Sequence, residues 1–200
     1  MKRKVLPFLT LAIISTSSLT AQVQKGDILL GATLGFNYGS NNDNYSTSNS
    51  NIAPRVAIGI GSNSALGLKT GFTYQKYKPG GNSDETTTTT GISAGLFWRK
   101  YMPIKNKIGW YLEPNGGVSF NRDVRKSSTN KIKGSSTQYN AKVLPGIYYQ
   151  PIPKLLINAD FGGLGYNYSR SKSDGNPTNR YSNVYLNLFS TFTFGFDFIL

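Results

Sequence analysis

The chain of 200 residues contains no cysteine and no histidine. Their absence excludes disulfide bonds, thiolate and imidazole metal sites, and the Ser–His and Cys–His pairs that activate nucleophiles. Carboxylate pairs remain available for acid–base chemistry, but Glu113 and Asp160 are better explained as partners of cations that share their face. The sequence therefore predicts a protein that is not an enzyme and that binds no cofactor.

Long apolar runs are also absent, since the longest mainly apolar stretch covers only residues 5–14. A stretch of this length falls short of the ~20 residues that a helix needs to cross a bilayer. Basic residues at positions 2–4 precede it and small residues follow it, which is the pattern of a secretory signal peptide. The sequence therefore predicts a signal peptide at residues 1–21 and one exported domain at residues 22–200.

Acidic residues are scarce, with 9 Asp and Glu against 22 Lys and Arg, so the formal net charge is +13. Removal of the predicted signal peptide, which holds three of the cations, leaves +10. Such a charge often indicates nucleic-acid binding, but for an exported protein an anionic surface polymer is the better partner. We therefore expect lipopolysaccharide, and no nucleic acid, among the partners of this chain.

Apolar and polar residues alternate along much of the chain, and residues 184–200 show this alternation most clearly. Every second residue there is apolar with one exception, and the residues between them are mostly polar or small. The positions of the apolar face are Val184, Leu186, Leu188, Ser190, Phe192, Phe194, Phe196, Phe198 and Leu200. A period of two indicates a strand with one apolar face, and this strand is unusually long. A membrane β-barrel, with lipid outside and a polar interior, needs such a strand.

The same alternation recurs along the chain between two kinds of connection. Tight turns are predicted at residues 61–64, 103–107 and 150–154, and long polar segments at residues 40–51, 77–89, 121–137 and 169–182. The two kinds alternate strictly, so the pattern predicts eight antiparallel strands with every long segment at one end. This architecture is an all-β, up-and-down transmembrane β-barrel with short periplasmic turns and long extracellular loops. In the seventh strand the phase slips at Gly162 and Gly163, which indicates a β-bulge.

The other face of the predicted strands carries charges of both signs. We expect a polar network that plugs the lumen, formed by Asp27, Arg55, Lys69, Arg99, Glu113, Lys142, Asp160 and Asp197. Its four cations and four anions balance, which fits paired charges in a narrow interior that side chains fill. A soluble barrel of the lipocalin type is the structural alternative. Because the cup of a lipocalin is lined by apolar residues, the charged inner face favours the membrane barrel.

The chain resembles the outer-membrane protein β-barrel domain family, small eight-stranded barrels of the OmpA/OmpX type, over about all of residues 22–200. Four C-terminal residues match the polar, glycine, hydrophobic, hydrophobic spacing that the barrel-assembly machinery reads in such proteins, namely Thr193, Gly195, Phe198 and Leu200. Leu200 stands where phenylalanine is commoner in the family. The resemblance implies the outer membrane of a Gram-negative bacterium, with its lipid and the barrel-assembly machinery as partners, and it implies no single activity.

The polar segment at residues 121–137 is strongly cationic. Its basic residues are Arg122, Arg125, Lys126, Lys131 and Lys133. As an extracellular loop it would attract lipopolysaccharide phosphates or an unknown surface ligand, and the alternative is a solvated loop without a partner. We therefore expect a monomeric integral outer-membrane protein with a structural or adhesin-like role. A narrow pore for small solutes is the second hypothesis, and an envelope enzyme is a distant third.

Overall fold

The computed structural model describes residues 23–41, 45–80, 84–128, 130–173, 177–188 and 192–200. Within these ranges the chain forms one antiparallel sheet of ten strands. The strands are β1 (Ile28–Asn41), β2 (Tyr45–Gly61), β3 (Ser64–Pro79), β4 (Thr86–Lys105), β5 (Ile108–Lys126), β6 (Lys131–Ile152), β7 (Leu155–Asp160), β8 (Leu164–Ser173), β9 (Asn179–Leu186) and β10 (Thr193–Ile199). The predicted signal peptide lies outside the described residues. No helix in the described part is long and apolar enough to cross a membrane.

The pairing of the strands returns to its starting point. Neighbours follow the order β5, β4, β3, β2, β1, β10, β7 and β6, and β6 pairs in turn with β5. The strands β8 and β9 continue this series, because the first half of β6 pairs with β8 and its second half with β7. β7 and β8 therefore follow each other along one side of β6 and together occupy one position in the series. β10 and β9 together occupy the next position, because β10 pairs with β7 and β9 pairs with β8.

The two ends of the sheet differ in their connections. At the turn end, short connections at residues 62–63, 106–107 and 153–154 join β2 to β3, β4 to β5 and β6 to β7. At the opposite end, which we call the tip end, β5 and β6 form a long hairpin that extends past the apolar part of both strands. The alternation of short and long segments in the sequence therefore corresponds to two distinct ends.

The segments predicted as long loops are mostly strand in the structure. β2 already begins at Tyr45, β4 begins at Thr86, and β5 continues to Lys126 before β6 begins at Lys131. Side chains on both faces of these extensions are polar, so the sequence there shows no alternation and resembles a loop. The prediction of long loops is therefore wrong. A strand with one apolar face shows alternation of apolar and polar residues, whereas a strand with water on both faces shows none.

The seventh predicted strand is broken into β7 and β8. The break lies at residues 161–163, where Gly162 has a φ of +82°. A side chain on Gly162 would also collide with the backbone carbonyl of Asn187. The Asn187 amide in turn donates a hydrogen bond of 3.1 Å to the Gly163 carbonyl. The phase slip in the sequence therefore marks an interruption of pairing, and not a β-bulge within one strand.

The predicted terminal strand at residues 184–200 is also divided. β9 ends at Leu186 and β10 begins at Thr193, and residues 189–191 lie outside the described residues. The two breaks are neighbours, since Asn187 follows β9 directly and packs against the break in the adjacent strand. The expected eight strands therefore become ten, because two of them are each divided in two.

The two faces of the sheet have opposite character. On β2, for example, Val56, Ile58 and Ile60 of the outer face are exposed, whereas Arg55 and Ala57 of the inner face are buried. At the turn end the inner face holds a packed cluster of Val23, Leu29, Ala57, Ala65, Phe97, Tyr101, Tyr111, Tyr148 and Leu156. The buried apolar core is therefore small, and the larger apolar surface of the protein faces outward.

Candidate functional site

Buried charges from β2 and β10 meet on the inner face. Arg55 Nε donates to Asp197 Oδ1 over 2.6 Å, and Arg55 Nη2 donates to Asp197 Oδ2 over 2.7 Å. Asn158 of β7 completes this group, because it accepts from Arg55 Nη2 at 2.8 Å and donates to Asp197 Oδ2 at 2.9 Å. A bidentate pair of this kind fixes both side chains in position.

A second group of charges from β3, β4 and β5 adjoins the first. Arg99 Nε donates to Glu113 Oε2 over 2.9 Å, and a second nitrogen of the guanidinium contacts the same oxygen. Lys69 Nζ reaches Glu113 Oε1 at 3.2 Å, and Arg99 Nη1 reaches Asp197 Oδ2 at the same distance. Arg99 thereby joins the two groups into one interior network, formed by Arg55, Lys69, Arg99, Glu113, Asn158 and Asp197.

Aromatic rings enclose the network from the turn end, and the sequence analysis did not identify them. The Arg99 guanidinium carbon lies 4.2 Å from the centroid of the Tyr111 ring. The Tyr111 hydroxyl donates to Asp160 Oδ1 over 2.5 Å, and Tyr101 packs edge-on against Tyr148 with ring centroids 5.4 Å apart. The signal for these rings was present, because Tyr101 and Tyr111 lie two residues from Arg99 and Glu113 and so share their face.

Beyond the network, toward the tip end, the inner face encloses a cavity of about 290 Å³. Arg55, Lys69, Lys142, Glu113 and Asp160 contribute charged groups to its lining, which otherwise consists largely of small and polar residues. A second cavity of about 400 Å³ follows nearer the tips and is lined by polar residues such as Gln75, Asn121 and Gln138. We call the first of these the central cavity.

Three of the eight predicted interior charges lie outside the network, and one of them is Asp160, which accepts the hydrogen bond from Tyr111. Lys142 lines the central cavity and makes no ion pair among the described residues. Asp27 precedes β1 and accepts a 2.8 Å hydrogen bond from the Gln24 amide near the turn end. The chain turns at Gly26, which has a φ of +98°, so the alternation of β1 does not extend to Asp27. The predicted charge balance included Asp27, so the seven remaining charges leave one cation in excess.

The predicted cationic loop is the part of the β5–β6 hairpin that lies at the tip end. Its five basic residues are all exposed and lie on these two strands, namely Arg122, Arg125, Lys126, Lys131 and Lys133. Arg125 pairs with Glu85, to which its Nε donates at 3.1 Å. On the inner side, Thr89 donates to Asp123 over 2.6 Å. The positive charge is therefore displayed on a paired, two-stranded ribbon.

The four predicted assembly residues occupy both faces of the last strand. Thr193 and Gly195 lie on the inner face of β10, whereas Phe198 and Leu200 point outward and are exposed. The Leu200 amide donates a 2.9 Å hydrogen bond to the carbonyl of Ile28, at the first residue of β1. The end of the chain is thus paired with the start of the first strand.

The chemistry of the interior is that of paired charges. Within the described ranges, no group of three or more acidic residues is arranged to hold a metal ion. The carboxylates of Glu113 and Asp197 accept hydrogen bonds from guanidinium groups, and that of Asp160 accepts from a tyrosine hydroxyl. Together with the ion pair between Lys69 and Glu113, these contacts stabilise charge in a confined space and link six strands across the interior.

No protein-family model matches this chain, and no curated protein matches it. Among the solved structures that are similar to it, two align along most of its length. A major outer membrane protein from Thermus thermophilus aligns with a TM-score of 0.52 and 14% identity, over 88% of this chain and 99% of that chain. The translocator domain of the autotransporter NalP from Neisseria meningitidis aligns with a TM-score of 0.53 and 15% identity, over 80% of this chain and 59% of that chain. At these identities the likeness concerns the fold, which is one that outer-membrane β-barrel proteins have.

Proposed function

We propose that this chain is an integral β-barrel protein of the outer membrane in a Gram-negative type of envelope. The observation that carries the proposal is the reversed polarity of the sheet, which exposes apolar side chains and buries ion pairs. Soluble proteins rarely expose a large continuous apolar surface, whereas a membrane barrel requires one. Membership of the OmpA/OmpX-like family, and the signal peptide, remain predictions within this proposal.

The height of the apolar band on the outer face supports a membrane location. On β3 it extends from Leu66 to Tyr74, with Leu68 and Phe72 exposed between them. At about 3.3 Å per residue and a strand tilt of about 40°, this distance corresponds to roughly 20 Å, close to the apolar height of such barrels. The exposed rings of Trp98 and Trp110 lie toward the turn end, where amphipathic rings would meet the lipid head groups.

The closed series of pairings supports an eight-stranded barrel with two divided strands. Toward the turn end, each strand of the series has a partner on both sides, so no edge would face the hydrocarbon. Such closure needs no second copy, and we propose a monomer. The exposed cations of the β5–β6 hairpin would then stand above the outer surface, near the phosphates of lipopolysaccharide.

Within this proposal, the role we favour is structural or adhesin-like and not catalytic. The interior network and the aromatic cluster close the inside of the barrel, so interaction with other molecules would take place at the cationic tips. A narrow pore is the second candidate, because the two cavities between the network and the tips provide part of a passage. Replacing the tip hairpins by short turns separates the two roles, since it would abolish surface adhesion but leave any conductance in place.

Membrane fractionation combined with electrophoresis of unboiled protein tests the proposal directly. A folded outer-membrane barrel would be recovered with the outer membrane and would migrate differently before and after boiling. Recovery in the soluble periplasmic fraction, with identical migration of boiled and unboiled samples, would contradict the proposal. The soluble lipocalin-like alternative would then be favoured.

A further inference from the structure

The wall of the central cavity formed by β3 to β6 contains a recess without side chains. Gly95 of β4 and Gly117 of β5 lie opposite each other in the register of these strands. At the same level, Lys69 of β3 lies opposite Gly95, and Asn140 of β6 lies opposite Gly117. All four residues line the central cavity. Glycine lets a ligand approach the backbone closely, and we call the surface of Gly95 and Gly117 the glycine recess.

Groups that can donate hydrogen bonds border the glycine recess. Toward the tip end, Ser93 and Ser119 take the next inner positions of β4 and β5 and lie opposite each other. Toward the turn end, Lys142 takes the inner position of β6 that follows Asn140. These three residues also line the central cavity. Hydroxyl, amide and ammonium donors therefore surround a surface from which side chains are missing.

The charges beside the recess favour an anion. Lys69 pairs with Glu113, whereas the half-buried Lys142 makes no ion pair among the described residues. Asp160, the other carboxylate of the cavity lining, accepts its hydrogen bond from Tyr111 and not from a lysine. The seven interior charges leave one cation in excess. Because a confined cation without a counterion is unfavourable, an added anion would lower the free energy of the interior.

The arrangement of the donors favours a phosphate group over a carboxylate. A phosphate ester presents three strong acceptor oxygens in different directions, so it can accept from several sides of the recess at once. The cavity of about 290 Å³ has room for roughly ten water-sized groups, which is more than a bare phosphate ion occupies. Its remaining lining includes Thr33, Asn51 and Thr73, whose polar side chains suit the hydroxyl groups of an attached organic part.

The second cavity adjoins the recess on the side of the tips. Thr73, Ser93 and Ser119 line both cavities, whereas the interior network lies on the opposite side of the recess. Among the described residues that line the second cavity, Asp123 alone is charged, and it accepts a hydrogen bond from Thr89. The exposed cations of the β5–β6 hairpin lie around the same level and offset its charge. A small anion would therefore approach from the tip end.

We propose that the glycine recess binds the phosphate group of a small hydroxylated molecule, which approaches through the second cavity. Lys142 is the principal contact, and Lys69 adds positive charge. Asn140, Ser93 and Ser119 donate hydrogen bonds to the phosphate oxygens. This inference rests on the proposed closed barrel and adds to its surface role a ligand held inside. Inorganic phosphate and phosphate esters share this chemistry, so the experiment separates the two sources.

Isothermal titration calorimetry tests the proposal on the full mature protein, folded in detergent micelles in a phosphate-free buffer. The probes are glucose 6-phosphate, inorganic phosphate and glucose. We expect one glucose 6-phosphate per protein, weaker binding of inorganic phosphate and no binding of glucose. Lys142→Gln should weaken binding of glucose 6-phosphate about tenfold, and Lys142→Arg should largely retain it. Lys126→Gln is the matched control, because it removes the same charge from the exposed tip of β5.

The outcomes distinguish this inference from the proposed function. Equal affinity for inorganic phosphate would overturn the organic molecule as the occupant, and equal losses for Lys142→Gln and Lys126→Gln would overturn the recess as the site. Absence of binding to protein that shows the folded gel migration would overturn the inference and leave the membrane location intact. Absence of the folded migration itself would instead contradict the proposed function.

Discussion

Arg99 shows how single residues hold the interior together. Its side chain is 1% exposed and contacts two carboxylates and the face of a tyrosine ring. A buried guanidinium without partners would be strongly unfavourable, and the same holds for Glu113 without its cations. The stability of each buried charge therefore depends on its partners. Removal of one partner leaves the other as an uncompensated charge in the interior.

Neutralising Glu113 is the sharpest test at this scale. Glu113→Gln should destabilise the folded protein by about 3 to 5 kcal/mol, because it leaves Arg99 and Lys69 buried or half-buried without their shared carboxylate. Unfolding by urea in lipid vesicles measures the change. Glu85→Gln is the matched control, since Glu85 also pairs with an arginine but lies at the exposed tip, where a pair contributes less than about 1 kcal/mol. Equal stability of the two variants would show that the interior pairs do not hold the fold.

The positions of the interior charges could be predicted from alternation, but their partners could not. Arg55 and Asp197 are separated by 142 positions in the chain, and only the closing of the sheet brings β2 and β10 to one side. Asp27 lies apart from the network for a local reason, because a pattern of period two in the sequence continues past the point where the strand begins. The phase of the alternation shows which face of its own strand a residue occupies. It contains no information on which residues of distant strands lie opposite each other.

At the scale of elements, β10 combines a structural and a targeting role in our proposal. Phe198 is opposite Leu155 of β7, and Leu155 is opposite Ile152 of β6, so these side chains lie at one level near the turn end. Leu200 is bonded to Ile28 at the same end. Residues at this level share the membrane environment, but only those of β10 match the assembly pattern.

Replacing Phe198 and Leu200 together by aspartate should therefore sharply reduce the amount of protein in the outer membrane. The control is the double variant Ile28→Asp/Ile152→Asp, which places two charges on exposed apolar positions at the same end. A charge near the membrane interface costs only about 0 to 1 kcal/mol, so the control should still assemble. Quantified immunoblots of outer-membrane fractions measure the difference. Normal amounts of the Phe198/Leu200 variant would refute a role of these residues in assembly.

The β5–β6 hairpin makes a separate prediction about the surface. Replacing Lys126, Lys131 and Lys133 by glutamine should weaken binding of the folded protein to added lipopolysaccharide, and the difference should shrink as salt rises, because screening acts on exposed charges. The control removes three lysines from the turn end, at positions 105, 107 and 154. Surface plasmon resonance at two salt concentrations provides the measurement. Equal weakening by the two variants would indicate a response to net charge alone.

Some parts of the strands could be predicted from the sequence and others could not. The apolar half of each strand was recognisable, since residues such as Val56 and Ile58 alternate with buried ones. The tip halves were not, because a run such as residues 86–90, all threonine, gives no phase and resembles a loop. The division of the last strand was also hidden, since its apolar alternation continues through the break. Directly after β9, the Asn187 amide donates a hydrogen bond to the Gly163 carbonyl, a contact between distant residues that the alternation does not indicate.

At the scale of the whole molecule, the inside is arranged in layers from one end to the other. The apolar and aromatic cluster with Tyr101 and Tyr148 lies at the turn end, the interior network follows, and the two cavities continue toward the tips. A barrel of about eight strands is only wide enough for side chains to fill it. In the barrel that we propose, the two layers at the turn end would therefore act as barriers in series, both distant from the cationic hairpin.

This arrangement predicts how the protein behaves in a planar bilayer. The unmodified protein should show no steady conductance, because in the barrel that we propose the network and the aromatic cluster would block a continuous water path. A variant in which residues 124–133 are replaced by a short turn should be equally silent, since that change shortens the β5–β6 hairpin and leaves both barriers in place. Single-channel recordings of both proteins, each checked for folded migration on gels, provide the measurement. Currents only in the shortened variant would place the barrier at the tips, and large stable currents in the unmodified protein would favour the pore over the structural role.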